Sequence, residues 1–210
     1  MRERLTRRLL TVRHSLTGHN AEGIITGRLD EPLSEEGRDL VRELVVARGP
    51  IAADTVVASP MRRALETAMF LTGLVAAAIL VDPAALERDY GELQGLDREQ
   101  VKRYAGKIEY IEVGGIWHSV NPPGGESFEA VRERAEAFRA HVDAMPPGTV
   151  LLVSHQVFLQ QLHGVLLGIS TRESLAMDIR PLQIDEFELD VGAPAPHHLL
   201  HPGINRYKSW

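Results

Sequence analysis

Apolar residues along the chain form two kinds of run. Leu9, Leu10, Thr11 and Val12 make a short continuous run that stops on Arg13 and His14. Val150 to Val153 make a second, which stops on Ser154 and His155. Runs of this length, rich in Leu and Val, suit strands covered on both faces. Thr55 to Ala58, a β-branched run, and Ala78 to Val81 are two further predicted strands. Between them the apolar positions recur at spacings of three and four: Leu40, Val41, Leu44 and Val45; Met61, Ala64, Leu65, Ala68 and Leu71; Phe128, Val131, Ala135, Phe138, Val142 and Met145; and Phe158, Leu159, Leu162, Val165 and Leu166. Those spacings predict helices with one buried face. Ser34, followed by Glu35 and Glu36, is a predicted N-cap, and Ser59 with Pro60 predicts another.

Alternation of strand and helix predicts an α/β fold with a mostly parallel central sheet and helices on both faces. Leu182 to Leu189 alternates and predicts an antiparallel strand at the sheet edge. Asp97 to Ala105 and Arg172 to Met177 predict short helices. The segment from Leu86 to Gly95 mixes charge with Gly and Tyr and reads as an irregular excursion, and Gly106 to Gly125 reads as loop. Residues 1–210 are expected to form one domain, with a substrate-loop insertion around 86–125 and a Pro- and His-rich, solvated tail over 193–210.

Composition narrows the partners. The chain has 210 residues, 44% of them hydrophobic, with a formal net charge of −6. Such a balance predicts no general affinity for nucleic acid or for anionic membranes. An anionic ligand therefore needs a local cluster of positive groups. The sequence has no cysteine, which excludes disulfides and thiolate chemistry and makes a cytoplasmic home the default expectation. The basic stretch Met1 to Arg8 precedes an apolar run too short for a signal peptide, and the longest later apolar stretch, Phe70 to Val81, is too short to span a bilayer, so a soluble protein is expected. The sequence does not fix an oligomeric state, and a homodimer stays open.

In an open α/β sheet, chemistry sits at the carboxyl ends of the strands. Arg13 and His14 close one predicted strand there, and His155 closes another. The helix after Thr55 to Ala58 carries Arg62 and Arg63 in its first turn, where helix dipole and guanidinium both favour phosphate oxygens. One of the two is a candidate phosphate ligand, and Arg62 has Glu66 at the i,i+4 distance for an ion pair.

These residues resemble the motifs of the histidine phosphatases, the phosphoglycerate mutase-like superfamily. Arg13-His14 resembles the opening Arg-His-Gly motif, with Thr17 and Asn20 at the usual distance behind. Ser59 to Ala64 is similar to the Ser-x-Leu-x-Arg-Ala motif, which assigns phosphate binding to Arg63. Leu86 to Gly95 resembles the segment that brings the proton donor, here Glu87, and Val153-Ser154-His155 resembles the second histidine motif. The resemblance covers nearly the whole chain. It implies phosphomonoester hydrolysis through a phosphohistidine on His14, with Arg13, Arg63 and His155 around the phosphoryl oxygens and Glu87 protonating the leaving alcohol. Asn20, Thr26, Gly27, Arg88, Tyr90, His118 and Gln156 are expected to bind substrate, a small-molecule phosphomonoester. Neither a metal nor a cofactor is implied, since arginine and histidine neutralise the charge.

The sequence departs from the family pattern at Ser15, where Gly is usual, and at Leu16 and Gln156. Ser15 is expected either to crowd the phosphate or to donate a hydrogen bond to it. A cofactor-dependent mutase is the rival, because the segment around Glu87 is close to that of such enzymes. Those hold a substrate carboxylate with an arginine pair after a tryptophan, and Trp117-His118-Ser119 has none. A non-catalytic phosphate-binding protein is a further alternative. His197, His198 and His201 invite a metal-site reading, but no carboxylate or cysteine cluster accompanies them in sequence. His141 and His163 read as surface or structural residues.

Overall fold

The computed structural model describes residues 7–104, 106–189 and 194–204. Its first strand, β1 (Arg8–Arg13), leads through the short helix α1 (Gly18–Glu22) into α2 (Glu35–Arg48). Strand β2 (Thr55–Ala58), helix α3 (Arg62–Thr72) and the two-residue strand β3 (Leu80–Val81) follow. An excursion carries α4 (Arg98–Val101) and a hairpin of β4 (Tyr110–Val113) and β5 (Ile116–Ser119). The chain then runs through α5 (Phe128–Ala144), β6 (Thr149–Ser154), α6 (Gln156–Leu167), α7 (Thr171–Ser174), β7 (Gln183–Glu188) and β8 (His197–Pro202).

Six strands form one sheet in the order β3-β2-β6-β1-β7-β8. The first four are parallel, while β7 runs antiparallel to β1 and β8 antiparallel to β7. Because side chains alternate across a strand, each strand feeds two cores. Leu9, Val57, Val150, Leu152 and Phe187 pack on one face under α5 and α6. Leu10, Val12, Val56, Ala58, Leu151, Val153 and Ile184 pack on the other under α2 and α3. All six residues of β6 are buried, as expected of a strand with helices above and below.

Four expectations are corrected. The strand at 183–188 is not at the edge: β8, from the segment read as a solvated tail, lies outside it. That segment pairs through its backbone and through His197, whose Nε2 lies 2.8 Å from Asp185 Oδ1, while Leu199 and Leu200 stay exposed. Its apolar pattern therefore carried no burial signal. The rest of the tail, 193 and 205–210, is outside the described residues.

Gly106 to Gly125 is not all loop. Gly114 and Gly115 take φ of 61° and 82°, the left-handed pair that a tight two-residue hairpin turn needs. Ser59 is not the cap of α3: Met61 holds that position without a side-chain bond. In the segment after His14, Thr17 and Asn20 form a reciprocal capping box at the start of α1.

Candidate active site

Three parallel strands, β1, β2 and β6, end side by side and deliver the candidate residues. Arg13 is paired in register with Ser154, and Ala58 with Val153. His14 and His155 are therefore the first residues past two neighbouring strands, and their ring centroids lie 5.1 Å apart. His14, Arg63 and Glu87 line one cavity of about 680 Å³. The ring of His155 packs behind His14, and Arg13 acts electrostatically on both Glu87 and Arg63.

The orientation of His14 is fixed by its own chain. Its Nδ1 lies 2.6 Å from the Ser15 carbonyl oxygen. A carbonyl only accepts, so Nδ1 carries the proton and Nε2 keeps the lone pair. Burial, and then the charges of Arg63 and Arg13, hold the His14 pKa well below the usual imidazole value. The ring is neutral at pH 7. His155 is neutral for the same reasons, burial first and Arg63 second, and its Nε2 sits 2.8 Å from the Ser59 hydroxyl. Ser59, expected as a helix cap, thus orients the second histidine.

Both arginines, Arg63 buried and Arg13 half-buried, are cations tied down from one side. Arg63 donates to the carbonyls of Gly27, at 2.7 Å, and Leu29, at 2.8 Å. Arg13 donates to the Ile179 carbonyl at 2.7 Å. Burial pulls the Arg13 pKa down to about 10, against the raising pull of Glu87 and Asp178, so the group stays charged at neutral pH. Arg13 Nε, Arg63 Nε and His155 Nδ1 are buried without a hydrogen-bond partner. Unsatisfied buried polar atoms are costly, roughly 1–3 kcal/mol each, and three around one pair of rings mark a place for an acceptor-rich anion.

Ser15 neither crowds this site nor points into it. Its hydroxyl donates to the Gly37 carbonyl at 2.8 Å, and its amide donates to Thr67 Oγ1 at 3.1 Å. The extra side chain ties the loop after β1 to α2.

The family model described as histidine phosphatase superfamily (branch 1) matches residues 9–200. The chain belongs to the histidine phosphatase superfamily. It is 31% identical over 205 residues to a 2,3-bisphosphoglycerate-dependent phosphoglycerate mutase of Mesorhizobium japonicum, with 93% of each chain covered. A mycobacterial glucosyl-3-phosphoglycerate phosphatase superposes with a TM-score of 0.67 at 27% identity, covering 92% of this chain and 96% of that one. The α-ribazole phosphatase of Shigella flexneri shares the fold, with a TM-score of 0.77 at 22% identity over 96% of this chain and all of that one. This member of the superfamily is an enzyme, a phosphomonoesterase of small phosphate esters.

The other expected binding residues of this histidine phosphatase divide. Thr26, Gly27, Tyr90, His118 and Gln156 line the cavity. Burial, and then Glu87, push the Tyr90 hydroxyl up to about 12, so it stays protonated. Arg88 touches the cavity, but three of its N–H groups go to backbone carbonyls: Nε to Glu126, Nη1 to Ser119 and Nη2 to Val120, at 2.7 to 2.9 Å. Its guanidinium also stacks 3.7 Å from the Phe128 ring centroid. It pins the segment before α5 against the one carrying Glu87. Asn20 does not line the cavity; its Oδ1 accepts from the Thr17 amide in the capping box.

Sequence reasoning missed Glu126. Its carboxylate receives Arg134 at 2.7 and 2.8 Å and Arg28 at 3.1 Å. Arg28 also donates to the Glu87 carbonyl and Arg134 to that of Leu86. Burial alone would raise the Glu126 pKa, but the Arg134 hydrogen bonds and charge outweigh it and the pKa is lowered. This clamp holds Glu87 from behind. The candidate signal was its place one residue before the helix cap Ser127.

Among the described residues, no group of three or more His, Asp or Glu side chains is arranged to hold a metal ion. His163 is buried, 2.8 Å from Thr11 Oγ1, and His141 is exposed beside Asp82. Among the described residues no helix is long and apolar enough to cross a membrane.

Proposed function

We propose that the chain, acting as one α/β domain, hydrolyses phosphomonoesters through a phosphohistidine on His14, with Glu87 as proton donor and then acceptor. A phosphomonoester dianion needs charge neutralised, a nucleophile and a proton for the leaving oxygen. Arg13 and Arg63 supply the first, and with the neutral His155 they are donors to the three equatorial oxygens. The neutral Nε2 of His14 attacks phosphorus in line, and the P–O bond to the alcohol breaks as the Glu87 carboxyl protonates the departing oxygen. Water then attacks the phosphohistidine, its proton passes to the Glu87 carboxylate, and phosphate leaves. The observation that carries this reading is the His14 tautomer: a proton fixed on Nδ1 by the Ser15 carbonyl leaves Nε2 as the basic nitrogen.

Mutase activity is the second reading, favoured by the Mesorhizobium japonicum relative. A mutase must retain its bisphosphate intermediate against water. Here Trp117-His118-Ser119 offers no arginine, and Arg88 is committed to backbone carbonyls, which supports hydrolysis. A cytoplasmic setting belongs to the proposal and is supported by the cysteine-free sequence. The test is a screen of phosphomonoesters in the presence of chelator, with alkali-quenched labelling and His14→Ala beside the wild type. Turnover in chelator, with label on the wild type and none on the variant, is expected. Equal rates from the two proteins overturn the assignment of His14, and primed exchange of phosphoglycerates faster than phosphate release makes the enzyme a mutase.

A further inference from the structure

Beyond His14 the cavity opens into a chamber far larger than a phosphoryl group. Its about 680 Å³ lies within the range, about 300–1,000 Å³, of pockets that enclose drug-sized ligands. Ile24, Ile25, Leu93, Val101, Tyr110 and Trp117 form its apolar walls. Tyr110 and Trp117 project from the β4–β5 hairpin, where Trp117 is 60% exposed. A large exposed aromatic beside apolar walls is a surface prepared to cover something.

Away from the phosphate end, two lining side chains have a buried polar atom with no partner: His118 Nε2 and Gln160 Oε1. For Gln160 the chemistry is set by the other amide atom. The Gln160 amide nitrogen donates to the carbonyls of Met177, at 2.7 Å, and Leu175, at 3.3 Å. Only an N–H can face two carbonyls, so the oxygen is the atom left over. The turn after α7 thus fixes Gln160 with its oxygen unpaired. Burial lowers the His118 pKa. The His118 ring is braced edge-on against Phe128 at 5.9 Å. Gln160 is 0% exposed and His118 9% exposed, so water does not readily satisfy either.

Arg88 turns three N–H groups to backbone carbonyls, and Lys102 at the rim is paired with Glu99, so neither holds out a bidentate fork to a carboxylate. An alcohol bearing a carboxylate would bring its charge against lone pairs, an arrangement that selects against it. We propose that the chamber takes phosphate monoesters of uncharged alcohols with an apolar, ring-sized face and at least one O–H or N–H donor, and rejects alcohols that carry a carboxylate. The proposal rests on the phosphatase reading above and specifies its leaving group.

Wild-type enzyme decides it with four esters: an amino-substituted naphthyl phosphate, 1-naphthyl phosphate, glycerol phosphate and 3-phosphoglycerate. The aminonaphthyl ester is expected to have the highest kcat/KM, about tenfold or more above the unsubstituted ring, since a site built for a donor discriminates strongly against an analogue lacking it. 3-Phosphoglycerate is expected last, about 100-fold or more below the aminonaphthyl ester. Gln160→Leu is expected to bring the ratio between the two naphthyl esters toward one, and Trp117→Ala to lower both relative to glycerol phosphate. Hydrolysis of all four with 3-phosphoglycerate equal or best overturns the chamber assignment and leaves the phosphatase reading standing. An unchanged naphthyl ratio in folded Gln160→Leu overturns the role of its oxygen. No hydrolysis and no labelled histidine with any ester overturns both.

Discussion

Gly37 gives a sharp test of how the loop after His14 is held. It sits in the first turn of α2, and its carbonyl receives the Ser15 hydroxyl. In Gly37→Ala the added Cβ would overlap the Leu16 carbonyl oxygen and stand 3.0 and 3.1 Å from the Leu16 carbonyl carbon and nitrogen. Those are backbone atoms and cannot rotate away. On helix propensity alone the change should stabilise α2 by about 1 kcal/mol. Against that, overpacking against a fixed neighbour costs about 1–3 kcal/mol, occasionally more. Parting the helix from the loop also strains the two bonds that the Leu16 carbonyl receives from Ser34, worth about 1 kcal/mol each. The sum is a net loss of about 2–4 kcal/mol, or a fall of roughly 5–15 °C in Tm for a chain of this size.

The same shift moves the carbonyl of Ser15, which orients His14. A displacement near 1 Å costs about 100-fold in rate. Thermal melts and pre-steady-state formation of labelled phosphohistidine read the two effects, with Glu43→Ala on the exposed face of α2 as control. A variant as stable as wild type that phosphorylates at the wild-type rate would refute the reasoning.

Ser59→Ala is expected to leave His155 with both ring nitrogens unpartnered, costing about 1–3 kcal/mol, and to lower phosphoenzyme formation while His14 is still labelled. Glu126→Gln removes the charge that joins Arg28 to Arg134. A buried pair broken on one side costs up to about 3–5 kcal/mol, and partial exposure of this one reduces that to about 2–3; kcat is expected to fall more than KM changes, measured by steady-state kinetics. Because the Glu126 pKa is lowered in the fold, its contribution is full above the unfolded carboxylate range and disappears as pH falls through the folded value. The buried His163, drawn down to about 4 chiefly by burial, acts in a higher window: the unfolded chain takes up its proton near pH 6.5 and the folded one does not. Stability is therefore lost as pH drops from 6.5 to 4, by about 3 kcal/mol at most, and melts of His163→Phe should show a shallower slope across that window.

How far the sequence disclosed this molecule follows from which forces leave a trace in it. β1 and β6 were legible because burial on both faces demands unbroken apolar residues, and α5 because its one buried face repeats at helical spacing. Arg13, His14 and His155 were legible as candidates at the ends of such strands and Arg63 as one of two arginines at a helix start, whereas Glu87 came from the resemblance alone. β8 was not, since its pairing is made by backbone bonds and one His–Asp contact. Arg88 looks in sequence like a ligand for substrate, and only the fold shows three carbonyls converging on it. Gln160 lay four residues beyond Gln156 on the same helical face, a spacing that aims both toward one end of the sheet. The direction of Ser15 depended on where Gly37 comes to rest, which no local pattern states.

Neighbouring strands in a sheet stand about 4.7–4.9 Å apart, and the two imidazoles that follow β1 and β6 are separated by 5.1 Å. The peptide ladder is the ruler for that gap. Changes to the hairpin or to the segment around Gly95 leave its graduations untouched, so new leaving groups can be tried at the rim without recalibrating the pair of rings. A shift of β1 by one residue against β6, by contrast, would carry His14 about 3.3 Å along the sheet and turn it to the opposite face.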